Sequence, residues 1–239
     1  MRTLFILLAG TLAAACASTP GARPTDMSAA SHEAAAKQHG DEADGHAAQF
    51  DPKVTALRER CRGGSARVGA ESCWTSVVNP TSEHSDEADR HRKMAADHRA
   101  ASKALLDAES SACGGLSEDD RDTSPFDRRE DLAGSEALQS TASGVKGAAG
   151  PHLVGASVSV KAVPGLTKEY LQRLVNCHLA RNASVGFVMP EMGSCPLSVK
   201  GATATVESAG PGFRVDIRAD DGQAAEEILK KARALTAGK

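Results

Sequence analysis

The sequence predicts an α+β protein in which an N-terminal helical hairpin, coiled-coil-like, is followed by a small β-α-β-β-α two-layer sandwich. Three observations predict it. Histidine and alanine recur together in two segments, His32-Ala36-His39-Ala43-His46 and His84-Ala88-His91-Ala95-His98, at the four-three spacing of a coiled-coil seam. From His152 the period changes to two, as in half-buried strands. Aromatic residues are scarce, with one Trp, one Tyr and five Phe, so Ala, Val and Leu must fill the core, which suits closely approaching helices.

Residues 31–49 are Ala-rich with Glu, Lys and Gln, and predict a helix with Ser31 as a plausible N-cap. Gly40 and Gly45 each cost about 1 kcal/mol against Ala, so this helix needs a partner. After Pro52, residues 53–62 predict a short second helix carrying Val54, Leu57 and Cys61. Residues 63–82 read as a loop. Residues 82–112 predict the longest helix: Ser82 can cap it, acids cluster in its first turns where the dipole favours them, and Gly114-Gly115 ends it. At 1.5 Å per residue it spans about 45 Å.

Residues 114–150 are acidic, then rich in Gly, Ala and Ser, and predict a linker. Within it, Arg128 to Leu138 predict a short helix, and Gly144 to Gly150 the interdomain link. Residues 151–239 predict the sandwich. Ala156, Val158, Val160 and Ala162 alternate with polar residues, and Pro164-Gly165 ends that strand. Thr167 caps a helix with Leu171, Leu174, Val175 and His178 on one side. Ala202, Ala204 and Val206, then Phe213, Val215 and Ile217, form a hairpin through Ala209-Gly210-Pro211-Gly212. Asp221 caps the last helix. This order resembles a ferredoxin-like unit lacking its last strand. Metal-carrier domains share such folds, but their CxxC is absent: the equivalent stretch is Ala162-Val163-Pro164-Gly165, so the resemblance implies no activity.

Arg2 and the apolar run to Leu12 form an export signal too short to span a bilayer. The run ends in Leu12-Ala13-Ala14-Ala15-Cys16. This resembles a bacterial lipoprotein signal (residues 1–15) with Cys16 as the lipidated residue, although Ala13 stands where such signals usually carry Leu. Ordinary secretory cleavage after Ala15 is the alternative. By the same resemblance Ala17 implies sorting to the periplasmic face of the outer membrane, with the lipid as anchor and residues 16–30 as a tether. Export permits disulfides. Sequence proximity favours Cys61–Cys73 and Cys177–Cys195, which leaves Cys113 over.

The candidate metal ligands are His32, His39, His46, His84, His91, Met94 and His98. Histidines on one stripe lie about 10.5 Å apart along a helix axis, too far for two to share an ion bound at about 2 Å. Two facing stripes could form up to three two-histidine sites, completed by Asp, Glu or Met94. Met favours copper, and carboxylate favours zinc or nickel. The other reading is a polar or pH-sensitive seam. A second candidate is Met189-Pro190-Glu191-Met192-Gly193-Ser194-Cys195 with Cys177 and His178, a soft Cu(I) set if the thiols stay reduced. A disulfide across it is the blander reading.

No GxSxG, HExxH, Walker or Rossmann pattern occurs, and there is no CxxC, so no catalysis is expected. A net charge of −3 without a basic block argues against nucleic acid. The expected function is periplasmic binding or buffering of a transition metal. The alternative is an envelope adaptor that docks a protein partner.

Overall fold

A computed structural model describes residues 21–62, 72–140, 151–188 and 193–237. The signal and lipidation expectations, the link at 144–150 and both methionines of the 189–195 loop lie outside these residues. The molecule is α+β, with two antiparallel sheets.

Two antiparallel helices make a stalk. The first, α1 (Ala29–Gln49), is capped by Ser28, whose Oγ accepts from the Ser31 amide at 3.1 Å. The cap therefore lies three residues upstream of the expected Ser31. The second, α2 (Ser82–Ala112), follows Thr81, which makes no side-chain cap. Instead Thr81 Oγ1 accepts from the Asp51 amide, and Asn79 Nδ2 donates to the Asp51 carbonyl. These bonds close the far end of the stalk. Ala36, Ala43, Ala88 and Ala95 are each 1% exposed. With only a methyl at these positions, the backbones approach closely enough for the histidines between them to meet.

The expected helix at 53–62 is instead a strand. Strand β1 (Ala56–Arg62) pairs antiparallel with β2 (Ser72–Val78), with Cys61 opposite Cys73 and the two disulfide-bonded. Leu57, Arg58, Glu59 and Arg60 favour a helix by themselves. The partner segment Trp74, Thr75, Val77 and Val78 is strand-forming, and the disulfide fixes the pairing. A tertiary constraint overrides local preference.

Below the stalk lies the sandwich. After a short helix α3 (Glu118–Asp122), residues Leu132–Ser140 form strand β3, where a short helix and linker were expected. The other strands are β4 (His152–Val160), β5 (Thr203–Ala209) and β6 (Gly212–Arg218), in the order β3-β4-β6-β5. The expected three-stranded sheet thus has a fourth strand. β3 takes the place beside β4 that a strand following the last helix would fill. Leu132 is 1% exposed and Phe126 packs beside it, so burial draws this segment into the domain. The helices α4 (Lys168–Ser184) and α5 (Gly222–Thr236) are capped by Thr167 and Asp221, as the sequence predicts. Leu171 and Val175 of α4 and Ile228, Ala232 and Leu235 of α5 share one core with Val158, Val206, Val215 and Ile217.

The lower end of α2 fastens the stalk to the sandwich. Cys113 is disulfide-bonded to Cys177 of α4, and Leu116, Tyr170 and Leu174 surround the bond. Glu109 Oε2 accepts from Ser184 Oγ at 2.5 Å. At the start of α1, Gly186 (φ +74°) lies against Ser28, and a Cβ there would come within 3.0 Å of the Ser28 side chain. No described helix is long and apolar enough to cross a membrane. The two disulfides are compatible with an extracytoplasmic location.

Candidate metal centre

The two histidine stripes face each other. His32 meets His98 with their Nδ1 atoms 3.0 Å apart, His39 meets His91 at 3.2 Å, and His46 meets His84 at 3.3 Å. The antiparallel helices match each step of seven along α1 with a step of seven back along α2. Rings of successive tiers also touch. His39 stacks on His98 and His46 on His91, with centroids 5.6 and 5.5 Å apart. The six imidazoles therefore form one continuous column. It is buried at the sandwich end, where His32 is 0% and His98 4% exposed, and half-buried toward the β1–β2 end.

Two nitrogens 3.0–3.3 Å apart satisfy one another when one carries the proton and the other a lone pair. At the buried tier the direction follows from the neighbours. His32 Nε2 lies 3.4 Å from the Pro24 carbonyl, which can only accept. His32 then donates there and its Nδ1 accepts from His98 Nδ1–H. Burial, followed by the neighbouring His32, holds the His98 pKa below its ordinary value.

The middle tier differs. Glu42 Oε2 lies 2.9 Å from His39 Nδ1 and 2.9 Å from His91 Nδ1. Three ligand-type atoms thus form a triangle with sides of 2.9, 2.9 and 3.2 Å. Ligand atoms bound at about 2.0–2.1 Å with angles between 90° and tetrahedral are separated by about 2.9–3.4 Å. The triangle is one face of such a coordination shell. Glu42 is held in place by Gln38, whose Nε2 donates to Oε1 at 3.0 Å. This leaves Oε2 for the histidines. Bonds from Gln38 and His39 and the field of His91 hold the Glu42 carboxyl below its ordinary pKa, so it is anionic at neutral pH. Side-chain exposures of 22% for His39, 18% for His91 and 38% for Glu42 leave one flank open to water, as a further ligand would require.

Glu42 was not singled out from the sequence. The signal was present: His39 and Glu42 are three apart, one turn of helix. Met94 is half-buried, three residues beyond His91, but the atoms that converge are two nitrogens and an oxygen. A second grouping, Glu59 with Cys61 and Cys73, has both sulfurs in a disulfide and only a carboxylate to offer.

The soft-metal candidate near Cys195 is not assembled among the described residues. Cys177 is bonded to Cys113, not to Cys195. The expected Cys177–Cys195 bridge and free Cys113 are therefore both corrected. Nearness in sequence was a poor guide because α2 delivers Cys113 directly to α4. Among the described residues Cys195 is the free thiol, buried with Ser124 Oγ 3.7 Å from its sulfur, and burial pushes its pKa up. His178 is a core residue, 1% exposed, with Nε2 3.4 Å from the Asp120 carbonyl.

No family model matches the chain, and neither a curated protein nor a solved structure is significantly similar to it.

Proposed function

We propose that this chain is an exported, lipid-anchored protein that binds and buffers a divalent transition ion, zinc, nickel or copper, without catalysis. The observation that supports this reading is the convergence of His39 Nδ1, His91 Nδ1 and Glu42 Oε2 within 3.2 Å of one another. Two imidazoles and a carboxylate suit such ions. The outer tiers, His32 with His98 and His46 with His84, are further two-nitrogen positions. Of these two, the half-buried His46–His84 tier is the one open to solvent.

The test is calorimetric titration of residues 17–239 with Zn(II), Ni(II) and Cu(II). Binding tighter than about 10 μM is expected, the affinity that two or three protein ligands with an open position should reach. Glu42→Gln should weaken it at least tenfold, and joint replacement of His39 and His91 by Ala should abolish it at the middle tier. No binding to the wild-type chain would leave the second reading, an envelope adaptor with a polar seam. That reading draws on a separate observation: every Nδ1 of the column already lies within 3.3 Å of a hydrogen-bonding partner, so the seam can close without an ion.

A further inference from the structure

The stalk has a local twofold axis, and the middle tier of the histidine column stands on it. The pairs His32–His98, His39–His91 and His46–His84 run in opposite order along α1 and α2. A half-turn about a line through the His39–His91 tier, square to the plane of the two helices, therefore exchanges the helices. It carries each α1 residue to the α2 residue 52 positions further on: His39 to His91, Ala36 to Ala88, and Ala43 to Ala95. These four alanines are equally buried, so the packing obeys the exchange as the sequence positions do. Glu42 Oε2 is 2.9 Å from both Nδ1 atoms of the tier, equidistant as a group reaching the axis must be.

The same half-turn carries Glu42 to Met94. Rotation about the axis keeps a residue on its own flank of the hairpin, so the carboxylate and the thioether belong to one flank, contributed by different helices. Each stands three residues beyond its histidine, and both are half-buried. Helical side chains lean toward the N-terminus of their own helix, which carries each back to the level of its histidine, from opposite directions. The supporting residues differ. Gln38 donates to Glu42, whereas Arg90, in the equivalent place on α2, is paired with Glu87. A carboxylate needs such a donor to fix its free oxygen, and a thioether does not.

We infer that Met94 is the fourth ligand of the middle tier and that the ion held there is copper, in either valence. The inference rests on the reading of the column as a metal site. To that reading it adds a sulfur donor from the second helix and a choice among zinc, nickel and copper. Imidazole suits copper, carboxylate oxygen is a hard donor that favours Cu(II), and thioether sulfur is a soft donor that favours Cu(I). His39, His91 and Glu42 then serve Cu(II), and His39, His91 and Met94 serve Cu(I), so three matched donors remain whichever valence arrives. Among the three divalent ions copper is also the one that nitrogen and oxygen donors hold most tightly.

The chain from Ala17 onward, carrying Cys195→Ser to remove the free thiol, is titrated without oxygen with Cu(I) in competition with bicinchoninate, and separately with Zn(II) by calorimetry. Cu(I) should be taken from the chelator. Met94→Leu, a change that nearly conserves volume, should lower Cu(I) affinity at least about tenfold more than Zn(II) affinity, and Glu42→Gln should do the reverse. X-ray absorption of the Cu(I) form should show a sulfur neighbour that Met94→Leu loses. Unchanged helical circular dichroism confirms that the variants are folded. Failure to bind Cu(I), a Cu(I) affinity unchanged by Met94→Leu, or a sulfur neighbour that persists in that variant overturns the inference, and Zn(II) binding in the same samples leaves the metal reading standing. Equal losses of Cu(I) and Zn(II) affinity in Met94→Leu give Met94 a packing role and overturn it as well. Absence of both Cu(I) and Zn(II) binding overturns the inference and the metal reading together.

Discussion

Cys113, the residue that closes α2, is bonded to Cys177 within α4, with their Cα atoms 4.6 Å apart although they are 64 positions apart in sequence. The bond fastens the stalk to the sandwich and limits the unfolded chain. Replacing both cysteines by Ser should cost about 2–4 kcal/mol in denaturant unfolding. Non-reducing peptide mapping should recover a 113–177 linked fragment. A fragment linking 177 to 195 would refute the pairing.

Gln38 reaches the middle tier only through Glu42, whose Oε1 it holds at 3.0 Å. Gln38→Ala should weaken Zn(II) or Ni(II) binding about tenfold with the ligands themselves intact, because partners that orient a ligand typically matter by 10–100-fold. Lys37→Ala, which removes an exposed pair with Asp41, is the control and should leave affinity unchanged. Equal losses in both variants would mean a general weakening of α1.

The alanines between the tiers set the helix spacing. Ala95→Leu puts a large side chain where 1% of the alanine is exposed and should destabilise the stalk by about 1–3 kcal/mol. It should also part the nitrogens on either side and reduce metal affinity. Ala34→Leu on the exposed face of α1 should do neither. Helical circular dichroism during urea unfolding, with calorimetry, checks both effects.

Two buried histidines make the fold acid-sensitive. Burial holds the pKa of His98 and of His178 below the ordinary value. The unfolded chain therefore takes up protons first as pH falls. The contribution of these residues is complete above the unfolded pKa of about 6.5 and is lost as pH falls toward the folded values. The unfolding midpoint in urea should drop between pH 7.5 and 5. His178→Gln should flatten that drop, and a slope unchanged by it would show that His178 is not a source.

Gly155 lies in β4 with φ +150°, and a Cβ on it would sit 1.9 Å from the Ile217 carbonyl oxygen. That contact is with backbone and cannot yield cheaply. Gly155→Ala should destabilise the sandwich by about 2 kcal/mol or more, seen as a lower thermal midpoint.

What was legible in the sequence was periodic. The four-three spacing marked the seam and located all six imidazoles, and alternation marked β4, β5 and β6. Thr167 and Asp221 marked two helix starts. What was missed depends on partners distant in the chain. β1 is a strand because of β2 and a disulfide. β3 is a strand because β4 offers a free edge and a buried place for Leu132. Cys113 finds Cys177 only because a long helix carries it there. Glu42 was overlooked because attention to the seven-residue interval passed over a group one turn from it.

The two stripes carry the same spacing, so the seam reads alike from either end, as a palindrome does. A helix slid by seven residues would still match two tiers of three, and either stripe would match a second copy of itself. The pattern therefore specifies antiparallel packing without specifying register or partner. Those are set at the ends, by the Asp51–Asn79–Thr81 clasp on one side and Cys113–Cys177 on the other. Glu42, which faces the column from one helix and has Met94 as its counterpart on the other, is the mark that gives this symmetrical column a direction.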